Sequence, residues 1–209
     1  MTIEAPYSRK EEKLNVLSHA LGIFFAVFVM WDLFKQATSI KAYISTAVYG
    51  ASLFVLFLSS TLYHASVQPK LRAFYKKCDH CAIYVLIAGT YTPFLLLSLN
   101  GWWSWGTLSF IWAVALGGVA YKVLVKNGNK KVSLATYLLM GWFALAIVYP
   151  LYLNIDVKAL YWLLAGGIFY SLGTLFYSAK STQFSHAIWH LFVIAGCVCH
   201  YISITNYVY

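Results

Sequence analysis

Seven long apolar stretches alternate with short polar segments along the chain of 209 residues. Each stretch is close to the roughly 20 residues that an α-helix needs to cross a bilayer. The pattern predicts an all-α integral membrane protein with seven transmembrane helices in one domain, residues 1–209, of which residues 1–13 form a short polar segment before the first helix. The predicted spans are Leu14–Phe34, Tyr43–His64, Cys78–Leu99, Trp105–Val125, Leu134–Leu153, Ala159–Tyr177 and Phe184–Tyr207.

Composition supports a membrane protein and not a soluble one. Hydrophobic residues make up 61% of the chain and charged residues only 10%, whereas soluble domains carry about 25% charged residues. The net charge of +9 would suit nucleic acid, but the basic residues lie in short segments between apolar stretches, which is typical of membrane topology. We therefore expect membrane lipids as partners and no nucleic acid, while the sequence indicates no protein partner.

The basic residues also predict the orientation. Twelve of the fifteen lysines and arginines fall before the first helix or in the second, fourth and sixth connections, and three fall on the other side. The twelve are Arg9, Lys10, Lys13, Lys70, Arg72, Lys76, Lys77, Lys122, Lys126, Lys130, Lys131 and Lys180; the three are Lys35, Lys41 and Lys158. By the positive-inside rule the N-terminus, with residues 1–13, is cytoplasmic and the C-terminus is outside.

The last predicted helix carries a pair of histidines with metal-ligand spacing. His186 and His190 are four residues apart and therefore lie on one helical face, where two imidazoles can bind one metal ion. Ionisable side chains inside a membrane are costly and commonly mark a site. His200 is about 15 Å further along the helix, so we expect it to be a packing or hydrogen-bonded residue.

The predicted topology brings other polar residues to the depth of this pair. His64 ends the second helix on the cytoplasmic side, Ser60 lies one turn deeper, and Asp79 opens the third helix. His64 alone is typical of an interfacial residue, but three histidines at one depth favour a shared metal site. Three neutral imidazoles and a water form the open tetrahedral site of a catalytic zinc, Zn²⁺, which lowers the pKa of its bound water to about 7.

Neighbouring residues have predicted roles around this site. Asp79 is expected to accept a proton from the water or to orient a ligand, and Ser60 to hydrogen-bond the water or a developing oxyanion. Glu11, Asn15 and His19 share one stripe of the first helix and are candidates for a second layer around the metal. For His19 a structural hydrogen bond to the seventh helix and a substrate contact stay equally open.

These motifs together resemble those of the hemolysin III branch of the progestin and adipoQ receptor family, in the wider group that includes alkaline ceramidases. The matching segments are Glu11-Glu12-Lys-Leu-Asn15-Val-Leu-Ser-His19, Ser59-Ser60-Thr-Leu-Tyr-His64, Asp79-His80-Cys-Ala-Ile-Tyr84, Gly89-Thr-Tyr-Thr-Pro93 and His186-Ala-Ile-Trp-His190. The resemblance implies seven helices with a cytoplasmic N-terminus. It also implies a zinc ion held by the positions His64, His186 and His190, beside an aspartate and a serine at Asp79 and Ser60.

The resemblance and the residues lead to three hypotheses for function. The leading one is a zinc-dependent intramembrane hydrolase of a lipid amide or ester in the plasma (inner) membrane of a bacterium. The second is a non-catalytic regulator of membrane lipids whose zinc is structural and held by four protein ligands. The third and most distant is a cytolysin, which the name of the bacterial branch implies.

Overall fold

Long helices make up almost all of the computed structural model, which describes residues 7–125, 128–179 and 182–209. Seven of the helical spans in these ranges are long and apolar enough to cross a membrane, which confirms the predicted all-α fold with seven spans. The helices are α1 (Arg9–Gln36), α2 (Ile40–Ala65), α3 (Pro69–Ser98), α4 (Gly101–Leu124), α5 (Lys130–Trp142), α6 (Val148–Tyr152), α7 (Val157–Ser178) and α8 (Ser185–Tyr207). The predicted orientation concerns in part Lys126, Lys180 and residues 1–6, which lie outside the described residues, as does the side chain of Lys130.

Two helices begin earlier than the hydropathy pattern predicts. α1 starts at Arg9 and not at Leu14, because Ser8 and Glu11 form a reciprocal capping box that pairs the free amides of the first turn. Residues 9–13 therefore belong to the helix. α3 starts at Pro69 instead of Cys78, since proline is well suited to the first helical position and the following lysines and arginine are good helix formers.

The fifth span is not a continuous α-helix. α5 ends at Trp142, a 3₁₀ segment covers Phe143–Ile147, and α6 completes the span at Tyr152. Pro150 lies in the short α6, where its ring excludes an ordinary α-helical turn from the residues just before it. The helix around Pro150 is thus interrupted by a local change of helix type.

The helices pack unevenly around the core. α2 lies against α1 and α3, α7 lies against α8, and α1 also contacts α8, whereas α5 and α6 make few contacts with their neighbours. Large apolar side chains such as Phe24 and Leu139 are exposed on the outer faces, as expected for helices surrounded by lipid. The fifth span is therefore the most loosely packed part of the described bundle.

A polar cluster joins α1 to α8 at the end of the bundle where α1 finishes. Asp32 Oδ2 accepts hydrogen bonds from Gln36 Nε2 at 2.8 Å, Tyr201 Oη at 2.7 Å and Thr205 Oγ1 at 3.0 Å. Hydrogen bonds to a carboxylate are stronger than those between neutral groups. The cluster fixes the end of α1 against the C-terminal part of α8.

Candidate metal centre

Three buried histidines meet where α1 and α8 begin and α2 ends, which we call the histidine end of the bundle. They are His64 of α2 and His186 and His190 of α8, and one ring nitrogen of each lies within 4.8 Å of the others. The Nε2 atoms of His64 and His186 are 3.1 Å apart. His190 is fully buried, and its Nε2 has no hydrogen-bond partner among the described residues. The predicted ligand set is thus brought together from two distant parts of the chain.

Glu12 orients the first of these rings. Its carboxylate lies 2.7 Å from His64 Nδ1 and also pairs with Arg72 of α3. A carboxylate only accepts hydrogen bonds, so His64 Nδ1 carries the proton and Nε2 presents a lone pair to the centre. Metal-binding histidines commonly make this kind of contact through their second nitrogen.

Ser18 orients His190 in the same way. The Ser18 hydroxyl donates to the carbonyl of Asn15 at 3.0 Å and lies 3.1 Å from His190 Nδ1. Because its proton is used in the first contact, the hydroxyl oxygen accepts from Nδ1–H of His190. The lone pair of Nε2 is then directed to the centre, as it is in His64.

The donor set fits a zinc ion. Bonds of 2.0–2.1 Å in tetrahedral geometry place two nitrogen ligands about 3.3 Å apart, close to the 3.1 Å between the Nε2 atoms of His64 and His186. Two lone pairs facing each other at this distance repel unless a cation or a proton lies between them. Among the described residues no fourth histidine, cysteine or carboxylate joins the group, so a tetrahedral ion held by these three histidines would keep one position for water.

Asp79 and Ser60 lie on the adjoining helices, as the sequence predicts. Both residues are buried, and the Ser60 hydroxyl faces the Asp79 carboxyl. Apart from this carboxyl, Ser60 Oγ has no polar partner among the described residues. Asp79 also lines a cavity inside the bundle, which is described below.

The three candidates on α1 have different surroundings. Asn15 Nδ2 lies 3.4 Å from His64 Nδ1, within the expected second layer. His19 stacks on His190 with ring centroids 3.6 Å apart, and neither of its nitrogens has a partner in the described structure. Of the two alternatives left open for His19, the hydrogen bond to the last helix is not formed among the described residues, and the ring stacks on His190 instead.

Glu11 does not contact the histidines, contrary to the prediction. Its carboxylate accepts hydrogen bonds from the amides of Ser8 and Phe184, at 2.8 and 2.7 Å. Phe184 directly precedes α8 and has a φ of 61°, a left-handed conformation that is costly for a large residue. Glu11 therefore stabilises the turn that starts α8 and positions His186 indirectly.

Tyr7, which lies just before α1, covers the candidate metal centre at the histidine end of the bundle. Its ring stacks on His186 with a centroid separation of 4.7 Å. Burial, with smaller contributions from neighbouring tyrosines and Glu12, raises the pKa of the Tyr7 phenol well above its ordinary value. The side chain is thus a neutral aromatic cover over the histidines at physiological pH.

A cavity of about 200 Å³ extends from the histidine end into the bundle. His19, Asp79 and Tyr177 line one end, and His200 lines the other. Most of the remaining wall is leucine, isoleucine, phenylalanine and tryptophan from α3, α5, α7 and α8. Its apolar lining suits a hydrocarbon chain.

Sequence reasoning missed the contacts of Glu12, Ser18 and Tyr7. Glu12 lies on the stripe of α1 that carries Asn15 and His19, at spacings of three and seven residues, so the same periodicity that selected Glu11 also fits Glu12. Ser18 lies four residues before Gly22 on a mostly apolar helix and gives no comparable signal. The position of Tyr7 depends on the turn before α1, which hydropathy does not describe.

Comparison with known proteins places the chain in a family. Residues 7–201 match the family model described as Haemolysin-III related. The chain is 40% identical to Hemolysin-3 of Bacillus cereus over 202 residues, covering 95% of this chain and 92% of the relative. It is 37% identical to the Hemolysin-3 homolog of Bacillus subtilis (strain 168), covering 96% of each chain.

A human protein shows a comparable sequence identity to this chain. The Monocyte to macrophage differentiation factor of Homo sapiens is 35% identical over 205 residues, which cover 95% of this chain and 85% of the relative. The seven apolar helices and the bacterial relatives together make this a multi-pass integral protein of the bacterial plasma membrane. The chain belongs to the haemolysin III-related family.

Proposed function

We propose that this protein is a zinc-dependent hydrolase that cleaves an amide or ester bond of a lipid within the membrane. The observation that carries the proposal is the convergence of three buried histidine nitrogens, one of whose rings stacks on His19, a residue that lines an apolar cavity together with Asp79. The predicted orientation places this centre on the cytoplasmic side of the membrane.

The protein's own residues have distinct tasks in such a reaction. His64, His186 and His190 would hold the metal, with Glu12 and Ser18 fixing the tautomers of two of them. When bound, zinc supplies Lewis-acid activation of water and of the lipid carbonyl. The cavity holds the acyl chain so that the carbonyl lies next to Asp79 and the histidines.

Asp79 and Ser60 then handle protons and charge. Asp79 takes a proton from the attacking water and returns it to the amine or alcohol that leaves, as a general base and then a general acid. The Ser60 hydroxyl donates a hydrogen bond to the oxygen that gains negative charge. Its lack of another partner leaves it free to do so.

The test is hydrolysis of a panel of acyl amides and esters by the zinc-loaded protein and its Asp79→Ala variant. General acid–base catalysis contributes about 10²–10⁴-fold, so turnover by the variant is expected to fall by that factor while its zinc content stays stoichiometric. Equal turnover by wild type and variant would refute the role of Asp79. If zinc is bound and no lipid is cleaved, the regulator with structural zinc replaces the hydrolase. Liposome lysis that persists without His186 and His190 would favour a cytolysin.

A further inference from the structure

An arginine connects α1, α2 and α3 at the histidine end of the bundle. Arg72 lies in the first turn of α3, and its side chain is 15% exposed. Its Nη2 pairs with the carboxylate of Glu12 on α1. Its Nη1 lies 3.4 and 3.3 Å from the carbonyl oxygens of Tyr63 and Ser66, where α2 ends. Both terminal nitrogens of the guanidinium are therefore engaged, each with a different helix.

The contacts with α2 fix the guanidinium in place. The last carbonyls of a helix have no amide partner within it, and α2 ends at Ala65. Arg72 donates to one of these carbonyls, that of Tyr63, and to the carbonyl of the cap residue Ser66. The guanidinium carbon also lies 4.8 Å from the centroid of the Tyr63 ring, within the range of a cation–π contact. The arginine is thus held by the same helix end that carries His64.

The fixed guanidinium in turn orients Glu12. Oε1 of the carboxylate pairs with Arg72, and Oε2 lies 2.7 Å from Nδ1 of His64. A glutamate side chain has considerable rotamer freedom, and Glu12 is 13% exposed. Because one oxygen is held by Arg72, the other is directed at His64. His64 directly follows Tyr63 in the chain, so these contacts form a closed ring that begins and ends on α2.

Charge and geometry predict opposite effects of Arg72 on the metal centre. A positive charge repels a cation bound nearby, so the charge of Arg72 opposes metal binding. The geometry favours metal binding, because the oriented carboxylate of Glu12 keeps the proton on Nδ1 of His64 and leaves the lone pair on Nε2. The sign of the measured effect therefore distinguishes the two.

We propose that Arg72 is a positioning residue of the metal centre, which acts on His64 through Glu12. The proposal rests on the proposed function in one respect, the binding of a metal ion by the three histidines. Arg72 and Asp79 are seven residues apart and lie on one stripe of α3. The contacts of Arg72 therefore also hold the helix that carries the proposed acid–base group against α1 and α2.

The first test is the zinc affinity of an Arg72→Lys variant, measured by chelator competition on the purified full-length protein in detergent. Lysine keeps the positive charge but lacks the planar fork that contacts a carboxylate and two carbonyls at once. The electrostatic repulsion is then unchanged, and the loss of geometry is expected to lower zinc affinity about three- to tenfold. Zinc affinity equal to or higher than that of the wild type would overturn the proposal.

The matched control is Lys77→Gln. Lys77 is exposed on the same polar end of α3, and the charge of an exposed residue is screened by salt. The control is expected to bind zinc with wild-type affinity. A loss in Lys77→Gln as large as that in Arg72→Lys would show that the contacts of Arg72 have no specific role.

A double variant tests whether Arg72 acts through Glu12. In a Glu12→Ala background the carboxylate that Arg72 orients is absent, so Arg72→Lys is expected to cause no further loss of zinc affinity. The same fold loss in both backgrounds would mean that the two residues act independently, and this would overturn the proposal.

The tautomer of His64 provides a measurement that needs no metal. Nitrogen NMR of the metal-free protein with isotopically labelled histidine, assigned with a His64→Gln variant, is expected to show the proton of His64 on Nδ1. In Arg72→Lys the other tautomer is expected to gain population. A lower melting temperature with an unchanged tautomer would indicate a merely structural role and overturn the proposal. If the wild type binds no zinc, the proposed function fails and the tautomer alone decides the role of Arg72.

Discussion

Replacement of Glu12 by glutamine tests whether the metal centre depends on a contact from α1. The carboxylate lies 2.7 Å from His64 Nδ1 and pairs on its other side with Arg72. Glutamine keeps the length of the side chain, but its amide nitrogen cannot accept a hydrogen bond. Only one of the two donors then keeps an acceptor. The variant removes the negative charge next to His64. We expect this charge to fix the tautomer of His64 and to support its binding of a cation.

The contact sets the expected magnitude. A hydrogen bond to a charged group contributes about 1.5–3 kcal/mol, and loss of an outer partner of a metal-binding histidine commonly lowers metal affinity about 10–100-fold. Glu12→Gln, which keeps one acceptor, is expected to lower zinc affinity about tenfold. Glu12→Ala, which keeps none, is expected to lower zinc affinity about a hundredfold.

Zinc affinity is measured by chelator competition on the purified protein in detergent. Glu11→Gln is the matched control, because Glu11 is the preceding acidic residue and its carboxylate contacts backbone amides and no histidine. The control is expected to lower thermal stability more than zinc affinity. Wild-type zinc affinity in Glu12→Gln, or an equal loss in both variants, would show that the contact with His64 has no specific role.

Two further predictions concern the packing of the bundle. Gly118→Ala places a Cβ against the ring of Tyr84 and is expected to lower the free energy of unfolding by about 1–3 kcal/mol. The control Gly117→Ala, whose Cβ would meet no atom within 4 Å, is expected to leave the free energy of unfolding unchanged. Equal melting temperatures of the two variants would contradict this prediction. Asp32→Ala removes the acceptor shared by three donors and is expected to lower the free energy of unfolding by about 1–3 kcal/mol. The measurement is thermal unfolding in detergent, and a stability equal to that of the wild type would refute the role of this cluster.

Hydropathy was sufficient to predict the fold because each crossing of a bilayer demands a long apolar helix. It predicted seven spans and their order, but it placed the start of α3 nine residues too late, since the first two turns of that helix are polar. A helix in water is set by caps and propensity, which an apolar window does not detect. Hydropathy also did not predict the 3₁₀ segment before Pro150, because an apolar window does not distinguish one type of helix from another.

The centre was predictable as far as helix period and depth determine it. His186 and His190 share a face by spacing alone, and His64 joins them because α2 ends where α8 begins. The partners of their Nδ1 atoms depend on the rotation of α1, which differs little between a stripe through Glu11 and one through Glu12. Helix rotation follows from packing against neighbours, so only the structure distinguishes the two.

The separation of the ligands along the chain has a consequence for biosynthesis. His64 and His186 are 122 residues apart, and two of the three ligands lie in α8, which leaves the ribosome after α1 to α7. A chain that stops before α8 carries one ligand of the proposed site, too few to retain an ion against cellular chelators. Metal content would therefore distinguish molecules that contain α8 from those that stop before it, and the ion would join α2 to α8 only after α8 has entered the membrane.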